Sequence, residues 1–156
     1  PVNRRQRQMC IRDRYMGKWV QYKASLFALG VESFGTHNTA TYSRIDENTI
    51  KVLNENKNIF GAENSIEGTA TVLDPPKGSL KVSFSRFDNS KKPNYLIVKL
   101  GRITNNQYTY SIVVSPSNWF IFVLVRDLKD TCVLAEVDSA IKELNLTNVF
   151  SELVTA

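Results

Sequence analysis

Between residues 18 and 127 the chain is written as eight short runs rich in Val, Ile, Thr, Tyr and Phe, each separated from the next by turn-forming residues. The runs fall at 18–25, 37–46, 49–58, 63–73, 78–87, 93–101, 107–115 and 118–127. β-branched and aromatic residues suit a pleated, half-buried surface, and alternation of apolar with polar residues marks strands that face a core on one side. The breaks carry Asp46-Glu47-Asn48, Ile59-Phe60-Gly61, Asp74-Pro75-Pro76-Lys77-Gly78, Asp88-Asn89-Ser90 with Pro93, and Thr104-Asn105-Asn106, which are turn signals. Eight strands joined by short turns predict a sandwich or an up-and-down barrel.

The alternation predicts faces. Ile50, Val52 and Asn54 share one side of their run, with Lys51, Leu53 and Glu55 on the other; Leu80, Val82 and Phe84 oppose Lys81, Ser83 and Ser85. A period of two places the apolar set inside and the charged set in water. The last run is apolar on both sides, Trp119, Ile121, Val123 and Val125 against Phe120, Phe122 and Leu124. Such a strand needs a cover outside, and the segment Val133 to Leu144 supplies one. There Val133, Val137, Ala140, Ile141 and Leu144 recur at helical spacing, although Asp138 and Ser139 interrupt the stripe. Asn145 is placed to end this helix in the left-handed conformation, and the tail at 146–152 is long enough for a short edge strand.

A chain of 156 residues suits one domain with one core. Its longest apolar run, Trp119 to Val125, falls far short of the roughly 18 residues of a membrane-spanning helix. The pI near 9.3 suggests nucleic acid, but the location of the charge argues otherwise. Residues 1–14 hold five arginines against one acid, so they supply +4 of the formal +5. The remaining chain shows no basic stripe interleaved with aromatics. The stretch Arg4 to Arg14 resembles a translated sequencing-library adapter, so 1–14 is read as a non-native or disordered segment and 15–156 as the domain. A genuine basic arm is the alternative. Cys10 and Cys132 have no evident partners for a disulfide or a metal site. The single histidine, His37, builds neither a triad nor a multi-His site.

Two short motifs carry a family resemblance. Gly17-Lys18-Trp19 opens the first strand, and Arg126 closes the last long one. A barrel open at one end must be plugged at the other; a Trp fills the plug, and a guanidinium over its face adds roughly 0.5–2 kcal/mol. The arginine's other donors can tie down carbonyls of the entering segment. This pair resembles the Gly-x-Trp signature and terminal arginine of lipocalins. Thr41-Tyr42-Ser43, Ile50 to Asn54, Ile66 to Ala70 and Leu80 to Phe84 follow in an order and spacing similar to apolipoprotein D, the bacterial outer-membrane lipocalins and the plant temperature-induced lipocalins. The resemblance covers about residues 15–154. The family's Thr-Asp-Tyr motif is not legible at Lys99 to Thr104, and the disulfide cysteines of apolipoprotein D have no counterparts, which favours the cysteine-poor bacterial and plant branch.

The resemblance implies an eight-stranded antiparallel up-and-down β-barrel with one C-terminal α-helix packed outside. It also implies binding, transport or storage of a small hydrophobic ligand such as a fatty acid or lysophospholipid, without cofactor or metal. Parity with Arg126 points Phe120, Phe122 and Leu124 inward; alternation adds Ile50, Val52, Leu80, Val82 and Phe84; the resemblance adds Tyr42, Asn54 and Tyr95. The three polar members would be the few hydrogen-bonding groups of an apolar pocket. The competing reading is a closed barrel filled by these same side chains. Sterol, retinoid and tetrapyrrole ligands fit an apolar cup as well. A lipid- or epoxide-converting enzyme on this fold needs a placed acid, base or nucleophile, and the inward set contains no His, Cys, Asp or Glu. A membrane-associated interaction module is the other alternative. Secreted, periplasmic or membrane-associated location, peripheral membrane association, and a monomer or weak dimer come from the resemblance alone. Asn145-Leu146-Thr147 is a glycosylation sequon.

Overall fold

The computed structural model describes residues 13–25, 35–58, 60, 62–73, 79–83, 95–115, 121–146 and 153–155. The strands are β1 (Gly17–Ser25), β2 (Gly35–Arg44), β3 (Thr49–Asn58), β4 (Glu63–Leu73), β5 (Ser79–Ser83) and β6 (Tyr95–Leu100). A small hairpin, β7 (Ile103–Thr104) with β8 (Gln107–Tyr108), precedes β9 (Tyr110–Val114) and β10 (Ile121–Val125). Helix α1 (Thr131–Glu143) and a short β11 (Leu153–Thr155) complete the order.

Each strand from β1 to β6 pairs antiparallel with the next, β6 pairs with β9 and β9 with β10. Strand β10 returns to β1 through Val20↔Val125 and Gln21↔Leu124, which closes the sheet on itself as the expected eight-stranded barrel. Strand β2 accompanies β1 from Gly17↔Tyr42 to Val20↔Thr39. Beyond that point β11 takes over the free edge, pairing with Lys23, Ala24 and Ser25. An edge strand of the tail exists at 153–155; of the segment 146–152 expected to supply one, all but Leu146 lies outside the described residues. Leu146 packs with the helix.

Closure produces two cores on opposite sides of one wall. Strand β9 is buried throughout, and β10 nearly so. Ile112, Val114, Ile121, Val123 and Val125 face outward against Val133, Val137, Ala140 and Ile141 of α1. Val113 and Leu124 face inward with Trp19. This is the cover that the two-sided apolar pattern required. Asp130 caps α1 by accepting from the Val133 amide at 3.2 Å, and Asn145, at φ 50°, ends it as expected.

Asp138, which breaks the apolar stripe in sequence, has its own partners. A bulge between Gln21 and Lys23 turns both Tyr22 and Lys23 to the helix side. Lys23 Nζ lies 3.0 Å from Asp138 Oδ1, and the Tyr22 hydroxyl donates to the same carboxylate at 3.3 Å. The run 107–115 is also not one strand. It breaks at Thr109, whose amide and hydroxyl both donate to the Arg102 carbonyl, because the Asn105-Asn106 turn closes the β7–β8 hairpin first. Both asparagines have positive φ, 52° and 61°, the geometry of a tight hairpin turn.

Candidate ligand-binding site

The base of the barrel is built around Trp19, which is fully buried. Its indole Nε1 donates to the Tyr15 carbonyl at 2.9 Å. The guanidinium carbon of Arg126 stands 3.5 Å from the centre of the indole ring. Arg126 then reaches four backbone carbonyls: Nε donates to Tyr108 at 3.0 Å, Nη1 to Lys18 at 3.0 Å, and Nη2 to Arg14 at 3.1 Å and Tyr15 at 3.3 Å. One side chain thus ties the entering segment, the β7–β8 hairpin and the end of β10 together. Burial lowers the Arg126 pKa to about 10, opposed by the charge of Tyr15, and leaves it a cation at neutral pH.

Gly17 has φ +104°, a conformation that L side chains rarely adopt. A Cβ there would sit 2.9 Å from Gln107 Nε2 and 3.3 Å from Arg126 Nη1. Gln107 Nε2 in turn donates to the Met16 carbonyl at 3.3 Å. The backbone angle is what calls for glycine here; the close contacts are the far ends of the Gln107 and Arg126 side chains, of which exposed Gln107 can yield. Asp13 and Arg14 also touch the barrel, through a 2.9 Å ion pair to Arg44 and a 3.4 Å bond to Asn106.

Tyr15 is a base residue that motif reasoning missed. It is buried, its ring lies 5.1 Å from that of Trp19 and 5.3 Å from that of Tyr42, and its hydroxyl is 2.9 Å from Ser111 Oγ. Burial pushes its pKa up to about 12, against the smaller lowering effects of Ser111, Arg126 and Tyr42. Its spacing of four from Trp19 was the available signal.

Above the base, register sets the interior wall. Trp19, Ala40, Asn54 and Ile66 stand in one cross-strand row; Tyr42, Val52 and Gly68 form the next. Ile50, Val52 and Ala70 are buried in a cluster that Tyr42 and Tyr95 join. Leu124 and Phe122 belong to the base cluster, with Tyr95 and Phe122 rings 6.1 Å apart. Of the residues expected inside, Tyr42, Ile50, Val52, Asn54, Tyr95, Phe122 and Leu124 all lie on this face. Val82 and Leu80 occupy the matching register, opposite Ala70 and Val72. Phe84 and Phe120 lie outside the described residues.

The wall is not uniformly packed. Trp19, Ile50, Val52, Ala70 and Leu124 are buried, whereas Tyr42, Asn54, Tyr95 and Phe122 keep part of their surface accessible. Ile66, in the same row as Trp19, is 52% exposed. A second residue missed by sequence, Gln21, faces inward opposite Leu124. Its Nε2 is buried without a hydrogen-bond partner. Counting by two from Trp19 reaches it. Among the described residues no group of His, Cys, Asp and Glu is arranged to hold a metal ion.

A family profile described as Lipocalin-like domain matches residues 12–144. No curated protein is a significant sequence match. Among solved structures, lobster apocrustacyanin A1 is similar with a TM-score of 0.65 and 18% identity, over 97% of this chain and 82% of that one. The cockroach allergen Per a 4 gives 0.63 and 18%, over 92% and 86%. Japanin from Rhipicephalus appendiculatus, solved bound to cholesterol, gives 0.59 and 12%, over 92% and 93%. At such identities the likeness is one of fold, and it does not extend to a particular branch.

Proposed function

The chain belongs to the lipocalin-like domain family, and from that premise we propose that it binds one small hydrophobic ligand inside the barrel, for transport or storage. The observation that carries this reading is the graded interior. The floor is sealed by Trp19 and Arg126, while apolar and weakly polar side chains higher on the same face stay partly accessible. A core that served stability alone would bury them. An eight-stranded barrel leaves room for one small ligand. Burial gives about 0.8 kcal/mol per methylene, so ten methylenes give about 8 kcal/mol before the costs of association. That gross figure corresponds to about micromolar affinity, so the net affinity for a chain of this length is weaker than micromolar unless more apolar surface or a hydrogen bond adds to it.

Tyr42, Ile50, Val52, Asn54, Tyr95, Phe122 and Leu124, with Val82, Phe84 and Phe120, form the proposed lining. Fatty acids, lysophospholipids and sterols are the classes to compare. Catalysis is not part of the proposal: such chemistry needs an acid, base or nucleophile activated by a placed partner, and no such pairing with a His, Cys, Asp or Glu stands among the described interior side chains. The described interior side chains offer Tyr, Asn, Gln, Ser and apolar groups instead, with two arginines committed to the base. Native mass spectrometry of protein purified from its own source should show a co-purifying small molecule. Titration of the delipidated protein with one member of each class should restore a bound species. Absence of both would refute the reading.

A further inference from the structure

From the orphaned amide of Gln21 we infer that the ligand carries an uncharged oxygen, a hydroxyl or carbonyl, at the end that enters the barrel first, and that Gln21 selects it. This rests on the ligand-binding reading above and narrows it. Gln21 is two residues above Trp19 on the interior face, level with Leu124 and, through it, with Ser111. Its amide nitrogen is buried, and no protein group accepts from it. Most buried polar groups in proteins are paired, so an orphan deep in a pocket wall points to a partner that arrives with the ligand. The side chain as a whole remains partly accessible. A half-turn of the amide exchanges its nitrogen and oxygen with little change of outline, so Gln21 can meet either an acceptor or a hydroxyl.

The same geometry selects against a charged head at this depth. Among the described residues, the charges on the interior face are Arg44 and Arg126, and both are engaged at the base. Arg126 donates to four carbonyls, and Arg44 to Asp13 and the Asp46 carbonyl. A carboxylate driven down to Gln21 would lose its hydration with no free cation to receive it. A fatty acid would have to enter tail first, which leaves the amide against methylenes and unpaired. A neutral alcohol, ketone or sterol entering oxygen first satisfies it.

The test compares dodecanol, dodecanoate and dodecane as competitors of the neutral probe N-phenyl-1-naphthylamine, in the wild-type chain and in Gln21→Met and Gln21→Leu. Both replacements remove an unsatisfied polar group without shrinking the site, so they should fold with an unchanged or higher Tm. In wild type, dodecanol should bind roughly tenfold more tightly than dodecane, the worth of one buried hydrogen bond. In either variant that ratio should fall to near unity, with dodecanoate unchanged or tighter. An alcohol preference that persists in both variants would overturn the role of Gln21 while leaving the pocket standing. Failure of every probe to bind would sink the pocket and the proposal together.

Discussion

Replacing Arg126 by Met removes the bolt of the barrel base while keeping much of its length. Three of its four hydrogen bonds are part-buried, and the fourth, to Lys18, is exposed. Taking each part-buried bond at about 1 kcal/mol net, below the range for fully buried charged donors, gives about 3 kcal/mol. The ring contact at 3.5 Å adds about 1 kcal/mol. Relief from burying the charge and the new contact of the Met thioether with the indole return about 1 kcal/mol. The net loss is about 3 kcal/mol. For a chain of this size that corresponds to a Tm lower by roughly 6–12 °C. Arg126→Lys keeps a cation near the indole but loses the planar fork that reaches several carbonyls, so it should fall between Met and wild type. Equilibrium urea unfolding of the three proteins, followed by far-UV circular dichroism, measures the order. A Met variant within about 1 kcal/mol of wild type would refute the view that this one side chain holds the base together.

Trp19→Ala should lower stability by about 3–5 kcal/mol, the usual loss for a large buried aromatic. Asn54→Leu, on the wall and not in the floor, should change ligand affinity more than Tm. Equal loss of stability in both variants would count against the division into plug and wall. Gly17→Ala should cost about 2 kcal/mol, mainly through its positive φ; a variant as stable as wild type by calorimetry would show that the segment re-routes freely. Tyr15 has its pKa raised in the folded state, so the stability tied to its neutral form is complete below pH 10 and lost as pH climbs toward about 12. Wild type should therefore lose stability across that window relative to Tyr15→Phe. Because Tyr15 and Arg126 influence each other's titration, the same comparison in an Arg126→Met background separates the two, and parallel curves there would contradict the burial argument.

The sequence carried the barrel because nearly every strand signal was local. Ile50 and Val52, or Phe122 and Leu124, reveal their side through period two, and the two-sided 118–127 run demanded the helix that α1 provides. Trp19 and Arg126 were legible as a pair because a plug needs a large ring and a fixed cation at opposite ends of the closing strands. What escaped depended on register irregularities and long-range partners. Strict alternation from Trp19 would send Lys23 inward; the bulge after Gln21 sends it outward with Tyr22 to Asp138, more than a hundred residues away. Until that pairing is known, Asp138 reads as a flaw in the helix. Tyr15 belongs to no strand run, and its role follows from a hydroxyl partner on β9. The hairpin at Asn105-Asn106 was visible as a turn, but nothing local announced that Tyr108 would offer its carbonyl to Arg126.

Strands β9 and β10 are a party wall: helix α1 leans on one side of them and the binding cup on the other. A wall one sheet thick has no slack to absorb a change on either side. Swelling Val137 beneath the helix would press Ile112 and Val123, and through their strands move Val113 and Leu124 toward the occupant. Anything that tightens the cup must, by the same route, firm the seat of the helix. An amide-exchange experiment would therefore find α1 better protected in the filled protein than in the empty one, although no ligand atom touches it.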